Sequence, residues 1–227
     1  MKTVSIILAR GGSKGLFQKN IADFCGKPLL AWTIEHCLNG GVKLVYVSSD
    51  SDSILQIAKD FGAIDIKRPE SLSGDQNDSE SGWLHALDFI ESEHGIVDWV
   101  LAPQVTSPIR SPEDISGAIK MVESGQYDSI FSVVPVTDFF MWKKNESGQI
   151  KPINYDYHNR KLRQNISTTY LENGSFYLFR PSMIRANNNR LSGRIGMFVM
   201  SRYKMFQIDN KEDFELCEVI MKGYGHA

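Results

Sequence analysis

Val4-Ser5-Ile6-Ile7-Leu8, followed by Ala9-Arg10-Gly11-Gly12-Ser13-Lys14-Gly15 and then Lys19-Asn20, is the stretch on which the fold turns. A short apolar run of this kind reads as a strand buried on both faces. It passes straight into a loop rich in glycine and cations. In parallel sheets, ligands bind beyond the carboxyl ends of the strands. Paired glycines let backbone N–H groups approach and cradle phosphate oxygens. Arg10, Lys14 and Lys19 add three cations, which suits a triphosphate and the pyrophosphate that leaves it. From spacing alone, a strand-to-helix turn with solvated charges stays open. Neither G-x-x-x-x-G-K-[ST] nor G-x-G-x-x-G is present, which disfavours a P-loop ATPase and a dehydrogenase.

Working outward, strands and helices alternate. Pro28 suits the first position of a helix, continued by Leu30, Ile34, Cys37 and Leu38. Leu44 to Val47 reads as a strand, and Ile54, Ile57, Ala58 and Phe61 mark a helix with one apolar face. A polar loop spans Ser71 to Asp78. Trp83, Ala86, Leu87 and Ile90 form the next helical stripe, for which Ser79 is a candidate N-cap. Val97 to Ala102 reads as a strand. Ser111-Pro112-Glu113-Asp114 opens a helix, and Ile130 to Val134 is another strand. This alternation predicts an α/β fold: a Rossmann-like, mostly parallel sheet of about seven strands with helices on both faces.

The pattern breaks from Thr137 to Thr169, where the chain is polar and aromatic with a hairpin tip at Asn145 to Gly148. The expectation is a single domain over 1–227 with a protruding arm at about 137–169. Phe139, Phe140, Met141 and Trp142 on that arm call for a cover, and a second subunit is one candidate. Strands return at Ser175 to Phe179 and Ile195 to Met200. A final helix is capped by Asn210 with Asp213 at its third position.

The net charge of -2 over 227 residues gives no sign of DNA or RNA as the main partner. Cys25, Cys37 and Cys217 are scattered, without C-x-x-C spacing, which argues against a disulfide scaffold or zinc site and for a reducing compartment. No run approaches the roughly 18 apolar residues of a spanning helix, and the first apolar stretch is too short for a signal peptide. The expected location is cytoplasmic, with no membrane partner.

Five pieces then converge. Leu8 to Asn20 with Gly26-Lys27-Pro28-Leu29, Val47-Ser48-Ser49-Asp50, Arg68-Pro69-Glu70, Gln104-Val105-Thr106-Ser107-Pro108-Ile109-Arg110, and Arg163-Gln164 with Glu172-Asn173-Gly174-Ser175-Phe176-Tyr177 resemble the CMP-acylneuraminate (CMP-sialic acid) synthetases. The resemblance spans essentially the whole chain. It implies a cytidylyltransferase that joins CMP from CTP to an acidic nine-carbon (nonulosonic) sugar, with Mg2+ as cofactor and a homodimer as the assembly. The alternatives are a sugar-nucleotide pyrophosphorylase of different base or sugar specificity, and a nucleotide-binding protein without turnover.

By position, the resemblance implies triphosphate binding at Arg10, Lys14, Lys19 and Asn20, with Gly11, Gly12 and Ser13 beside them. Arg10, Lys14 and Lys19 would stabilise the leaving pyrophosphate. Arg68, Asn77, Ser79 and Gln104 fall where relatives hold cytosine and ribose. The sugar is expected near Gln104, Arg163, Gln164, Asn173 and Tyr177, with Arg163 as the anchor of its carboxylate. The metal falls to Asp209. The family carries D-x-D here, whereas this chain reads Gln207-Ile208-Asp209. Val105 stands for the usual proline, and Leu171 for an arginine found in many relatives. His85 and His158 read as structural or surface residues, and no general base is named.

Overall fold

The computed structural model describes residues 1–12, 15–16, 18–74, 76–137 and 139–225, without the side chain of Arg163. In chain order the strands are β1 (Thr3–Leu8), β2 (Asp23–Phe24), β3 (Lys27–Pro28), β4 (Leu44–Ser49), β5 (Ile64–Lys67), β6 (Trp99–Pro103), β7 (Ser129–Val136), β8 (Trp142–Lys144), β9 (Ile150–Pro152), β10 (Thr169–Phe179) and β11 (Ile195–Val199). The helices are α1 (Leu29–Asn39), α2 (Asp52–Asp60), α3 (Ser79–His94), α4 (Pro112–Glu123), α5 (Pro181–Asn187) and α6 (Lys211–Gly223). None among the described residues is long and apolar enough to cross a membrane.

Seven strands form one sheet in the order β11-β7-β10-β6-β1-β4-β5. Every neighbour pair is parallel except those of β10, which runs antiparallel to both β6 and β7. The central strands are apolar on both sides, as strands covered on both faces must be. Ile7, Leu101, Ile130 and Phe176 pack on one face with Leu30, Ile34, Ile115 and Met221 of the helices. Val4, Ile6, Val100 and Phe179 pack on the other with Trp83, Leu87 and Ile90 of α3.

Local chemistry fixes the helix starts. Asp114 accepts from the Ser111 backbone N–H at 2.8 Å, closing the first turn of α4. Asn210 and Asp213 form a reciprocal capping box on α6. Two expectations shift by one residue. Pro28 is the N-cap of α1 rather than its first helical residue. Asp78, not Ser79, caps α3, because its carboxylate accepts from the Ser81 N–H at 2.9 Å.

The arm contains the expected hairpin. β8 and β9 pair antiparallel, and the Gly148 N–H donates to the Asn145 carbonyl at 3.0 Å across the tip. Phe139, Met141 and Trp142 stand exposed on it.

Candidate active site

A cavity of about 620 Å³ opens at the carboxyl ends of β1 and β6, where an open α/β sheet places its ligands. One wall is the loop after β1. Gly11 donates its N–H to the Asp50 carboxylate at 3.0 Å, and the Asn20 side-chain amide donates to the Arg10 carbonyl at 3.0 Å. Asp50 follows β4, parallel to β1, so one sheet edge supplies both the loop and the acid that holds it. Gly15 lies so close to Asp209 that a Cβ there would stand 2.1 Å from the Asp209 carbonyl oxygen. Only glycine permits that approach.

Two cations that border the cavity, Lys19 and Arg68, are desolvated more than their neighbours compensate. Lys19 is buried, donates to the Ile208 carbonyl at 2.5 Å and faces Asp209 at 3.7 Å. Burial nonetheless lowers its pKa, outweighing the attraction of Asp209. That acid is 82% exposed, so water screens most of its pull. Arg68 behaves alike: burial lowers its pKa despite Asp50 nearby, and its Nε donates to the Ser73 hydroxyl at 3.1 Å. A buried cation whose desolvation exceeds its pairing gains from an incoming anion.

The second wall is the loop between β5 and α3. Asn77 donates its side-chain amide to the Ser71 carbonyl at 3.0 Å and its backbone N–H to the Gly74 carbonyl at 3.2 Å. Asn77, Asp78 and Ser79 line the cavity there, with Trp83 one turn into α3. The third wall is Pro103 to Thr106, fixed from behind. Arg110 is fully buried and donates to the Ser175 carbonyl at 2.5 Å, the Gln104 carbonyl at 3.4 Å and the Thr33 hydroxyl at 2.9 Å. Ile208 donates its N–H to the Thr106 carbonyl at 2.8 Å, tying this wall to Asp209. Val105, in the proline's place, is buried while still bordering the cavity.

Of the residues singled out in the sequence, Arg10, Lys19, Asn20, Arg68, Asn77, Ser79, Gln104 and Asp209 line this one cavity. Gly11 sits behind it, beside Ser51 and Ser53, and Gly12 is exposed and not among the lining residues. Ser13, Lys14 and the Arg163 side chain lie outside the described residues. Gln164 is exposed on the 3-10 turn Arg163–Asn165, apart from the cavity lining. Asn173 does not reach the cavity: it is 1% exposed, donates to the Lys204 carbonyl at 2.9 Å and accepts from the Ser175 N–H at 3.3 Å. It therefore scaffolds the Gly174 turn. Tyr177 is buried behind Trp83, with its hydroxyl donating to Glu172 at 2.5 Å. Burial first, then that bond, pushes its pKa up to about 12, so it is a donor and not a base at neutral pH.

Sequence reasoning missed the roles of Asp50, Arg110 and Thr106. All three lie in the pieces that carry the family resemblance, but nothing in the sequence says which of their atoms turn inward to hold the cavity walls.

Comparison with known proteins shows the family and the fold. A family model described as cytidylyltransferase matches residues 4–222. The N-acylneuraminate cytidylyltransferase A of Danio rerio is 36% identical over 184 residues, covering 79% of this chain and 42% of that protein. The chain thus spans less than half the length of that relative. The pseudaminic acid cytidylyltransferase of Campylobacter jejuni subsp. jejuni serotype O:23/36 (strain 81-176) is 29% identical over 228 residues, covering 98% of this chain and 97% of that one. Among solved structures, CMP:2-keto-3-deoxy-manno-octonic acid synthetase complexed with CTP superposes with a TM-score of 0.73 at 18% identity, over 99% of this chain and 100% of that chain. A 4-diphosphocytidyl-2C-methyl-D-erythritol synthase gives 0.70 at 11% identity, over 97% and 99%. With the family match running from β1 to the last turn of α6, this chain belongs to the cytidylyltransferase family of nucleotidyltransferase enzymes.

Proposed function

We propose that the chain joins CMP from CTP to an acidic nonulosonic sugar, N-acetylneuraminic acid or a close relative, and releases pyrophosphate. The observation that carries this reading is the undercompensated pair Lys19 and Arg68 lining one cavity with the amide side chains of Asn77 and Gln104. Buried cations favour the triphosphate, and amides match the donors and acceptors of cytosine. The named relatives support the sugar class.

The anomeric hydroxyl oxygen of the sugar attacks the α-phosphorus of CTP. A new oxygen–phosphorus bond forms, the bond from the α-phosphorus to the bridging oxygen breaks, and that oxygen leaves with pyrophosphate. The hydroxyl proton is released to water. Catalysis here is positioning and charge stabilisation. Arg10, Lys14 and Lys19 stabilise the growing charge on pyrophosphate, and Arg163 anchors the sugar carboxylate.

Asp209 suits Mg2+. Its carboxylate is exposed, lines the cavity and lies beside Lys19. Among the described residues no cluster of three His, Cys, Asp or Glu side chains forms a protein cage. One carboxylate completed by phosphate oxygens and water is a normal Mg2+ site, and the ion would shield phosphate charge there. The exposed Phe139, Met141 and Trp142 of the arm support a homodimer built through it; a monomer by light scattering removes that part.

The test is pyrophosphate release from CTP and Mg2+ with a panel of nonulosonic acids. Release that requires CTP and one acid is expected. CTP binding with no release for any acid would overturn the reading.

A further inference from the structure

Three adjacent strands of the sheet, β1, β4 and β5, run out into charged residues that fall in one row. The parallel register pairs Leu8 with Ser48 and Ser49 with Lys67. Just past those pairs, the Ala9 N–H donates to the Ser48 carbonyl at 3.1 Å and the Arg68 N–H to the Ser49 carbonyl at 2.8 Å. The same register sets Asp50 between Arg10 and Arg68, at the carboxyl edge of the sheet where ligands bind. Arg10 and Arg68 line the cavity. Asp50 is half-buried and not among the lining residues, so it stands behind the two arginines.

The acid acts on both neighbours. Its Oδ1 accepts the Gly11 N–H at 3.0 Å. A Cβ on Gly11 would stand 3.1 Å from the Ser51 Cβ and 3.8 Å from Asp50 Oδ2, so the loop after β1 rests on this pair. On the other side is Arg68. Burial holds its pKa down, Asp50 draws it up, and Arg10 pushes it down again. The two arginines therefore repel, and the acid between them offsets that repulsion. The nearby Lys67 ammonium goes to the Asp52 carboxylate at 2.5 Å and the Asp50 carbonyl at 2.9 Å.

A negative charge beneath two arginines weakens their attraction for an incoming triphosphate. A neutral side chain with an oxygen acceptor, such as asparagine, would hold the Gly11 N–H without that cost. Turnover supplies the reason for the charge. A grip equal for substrate and transition state lowers KM without raising kcat, and pyrophosphate held too firmly leaves slowly.

We propose that Asp50 is a positioning residue that spaces Arg10 and Arg68 at the cationic end of the cavity and limits how tightly they hold CTP and pyrophosphate. This rests on the phosphate reading of the loop after β1. Asp50 acts through the two arginines and the loop, and takes no part in the bond changes.

The experiment compares wild type with Asp50→Asn and Asp50→Ala. Calorimetry with Mg2+ measures binding of CTP and, separately, of pyrophosphate, and a thermal scan without ligand reports folding. Asparagine keeps the size and an acceptor for Gly11 but removes the charge. CTP and pyrophosphate should each bind Asp50→Asn about threefold to tenfold more tightly than wild type. The gain should shrink as salt is raised, and pyrophosphate should inhibit turnover at correspondingly lower concentration. Asp50→Ala also loses the Gly11 acceptor and should bind less tightly than Asp50→Asn. Unchanged or weaker binding in a folded Asp50→Asn overturns the proposal, because a mere brace for the loop predicts loss and a spectator predicts no change. An Asp50→Asn that cannot fold also overturns it, since the charge would then be a strut of the fold. Asp50→Ala binding as tightly as Asp50→Asn would remove the hold on the loop. Wild-type protein that binds neither CTP nor pyrophosphate overturns the phosphate reading itself.

Discussion

At the scale of single residues, Gln207 shows how one substitution reuses a position. The family resemblance places an aspartate there, yet this glutamine donates its side-chain amide to the Asn173 carbonyl at 2.7 Å. The same Nε2 would stand 2.6 Å from a Cβ on Gly174, so the amide packs directly on the turn. Aspartate is one methylene shorter and offers only acceptors, so it would set oxygen against oxygen. Gln207→Asp should therefore lower stability by about 1–2 kcal/mol in a denaturant titration. An unchanged midpoint would mean that the amide contact contributes nothing. Such roles are illegible in sequence. Gln207 and Asn173 lie 34 positions apart, and neither pattern nor spacing says which polar side chain turns inward. Arg110 is the extreme case: a loop arginine to which the sequence assigned no role, and which is fully buried.

At the scale of elements, the alternation of strands and helices was legible because each period has one physical cause, the burial of apolar faces. The less legible element is β10. Its inner half, Ser175 to Phe179, is apolar and was readable. Its outer half, Thr169 to Glu172, is exposed and pairs with Val133 to Val136 beyond a register shift, so no alternation marks it. The starts of β7 and β11 are joined by a charge pair that can be tested. Asp128 accepts from the Arg194 backbone N–H at 3.0 Å and from its Nε at 2.9 Å. These bonds hold the Asp128 carboxyl well below its usual value. The folded value is depressed, so this stabilisation is present above the ordinary carboxylate pKa of 3.8 and is lost as pH falls from there through the folded value. Asp128→Asn should flatten the acid limb of the stability curve below about pH 4. An acid limb identical to wild type would show that other carboxylates set it.

At the scale of the whole molecule, the cavity is assembled from the β1 loop, the start of α3, the end of β6 and the segment before α6. A ligand that spans these walls binds the folded state and not the unfolded chain. CTP at about 100 times its dissociation constant should stabilise the protein by about 2.7 kcal/mol, raising Tm by roughly 5–10 °C for a chain of this size. A scan with and without CTP checks this, and an unmoved Tm at high CTP would mean that the folded protein does not bind CTP in preference to the unfolded chain. The polar lining was largely readable, because eight of the residues singled out in the sequence meet there. The residues expected to hold the sugar were less so, since Asn173 serves as a scaffold and Tyr177 as a buried wall.

The loop after β1 has its partner almost a whole chain away: Lys19 reaches the Ile208 carbonyl, and Gly15 lies under the Asp209 carbonyl. During synthesis, a ribosome that has delivered β1 through β11 has already made every strand of the sheet but not the segment that closes the loop after β1. Nascent chains stalled before residue 207 should thus hold a collapsed sheet that CTP does not protect from protease, and protection should begin only once residues 207–209 have emerged.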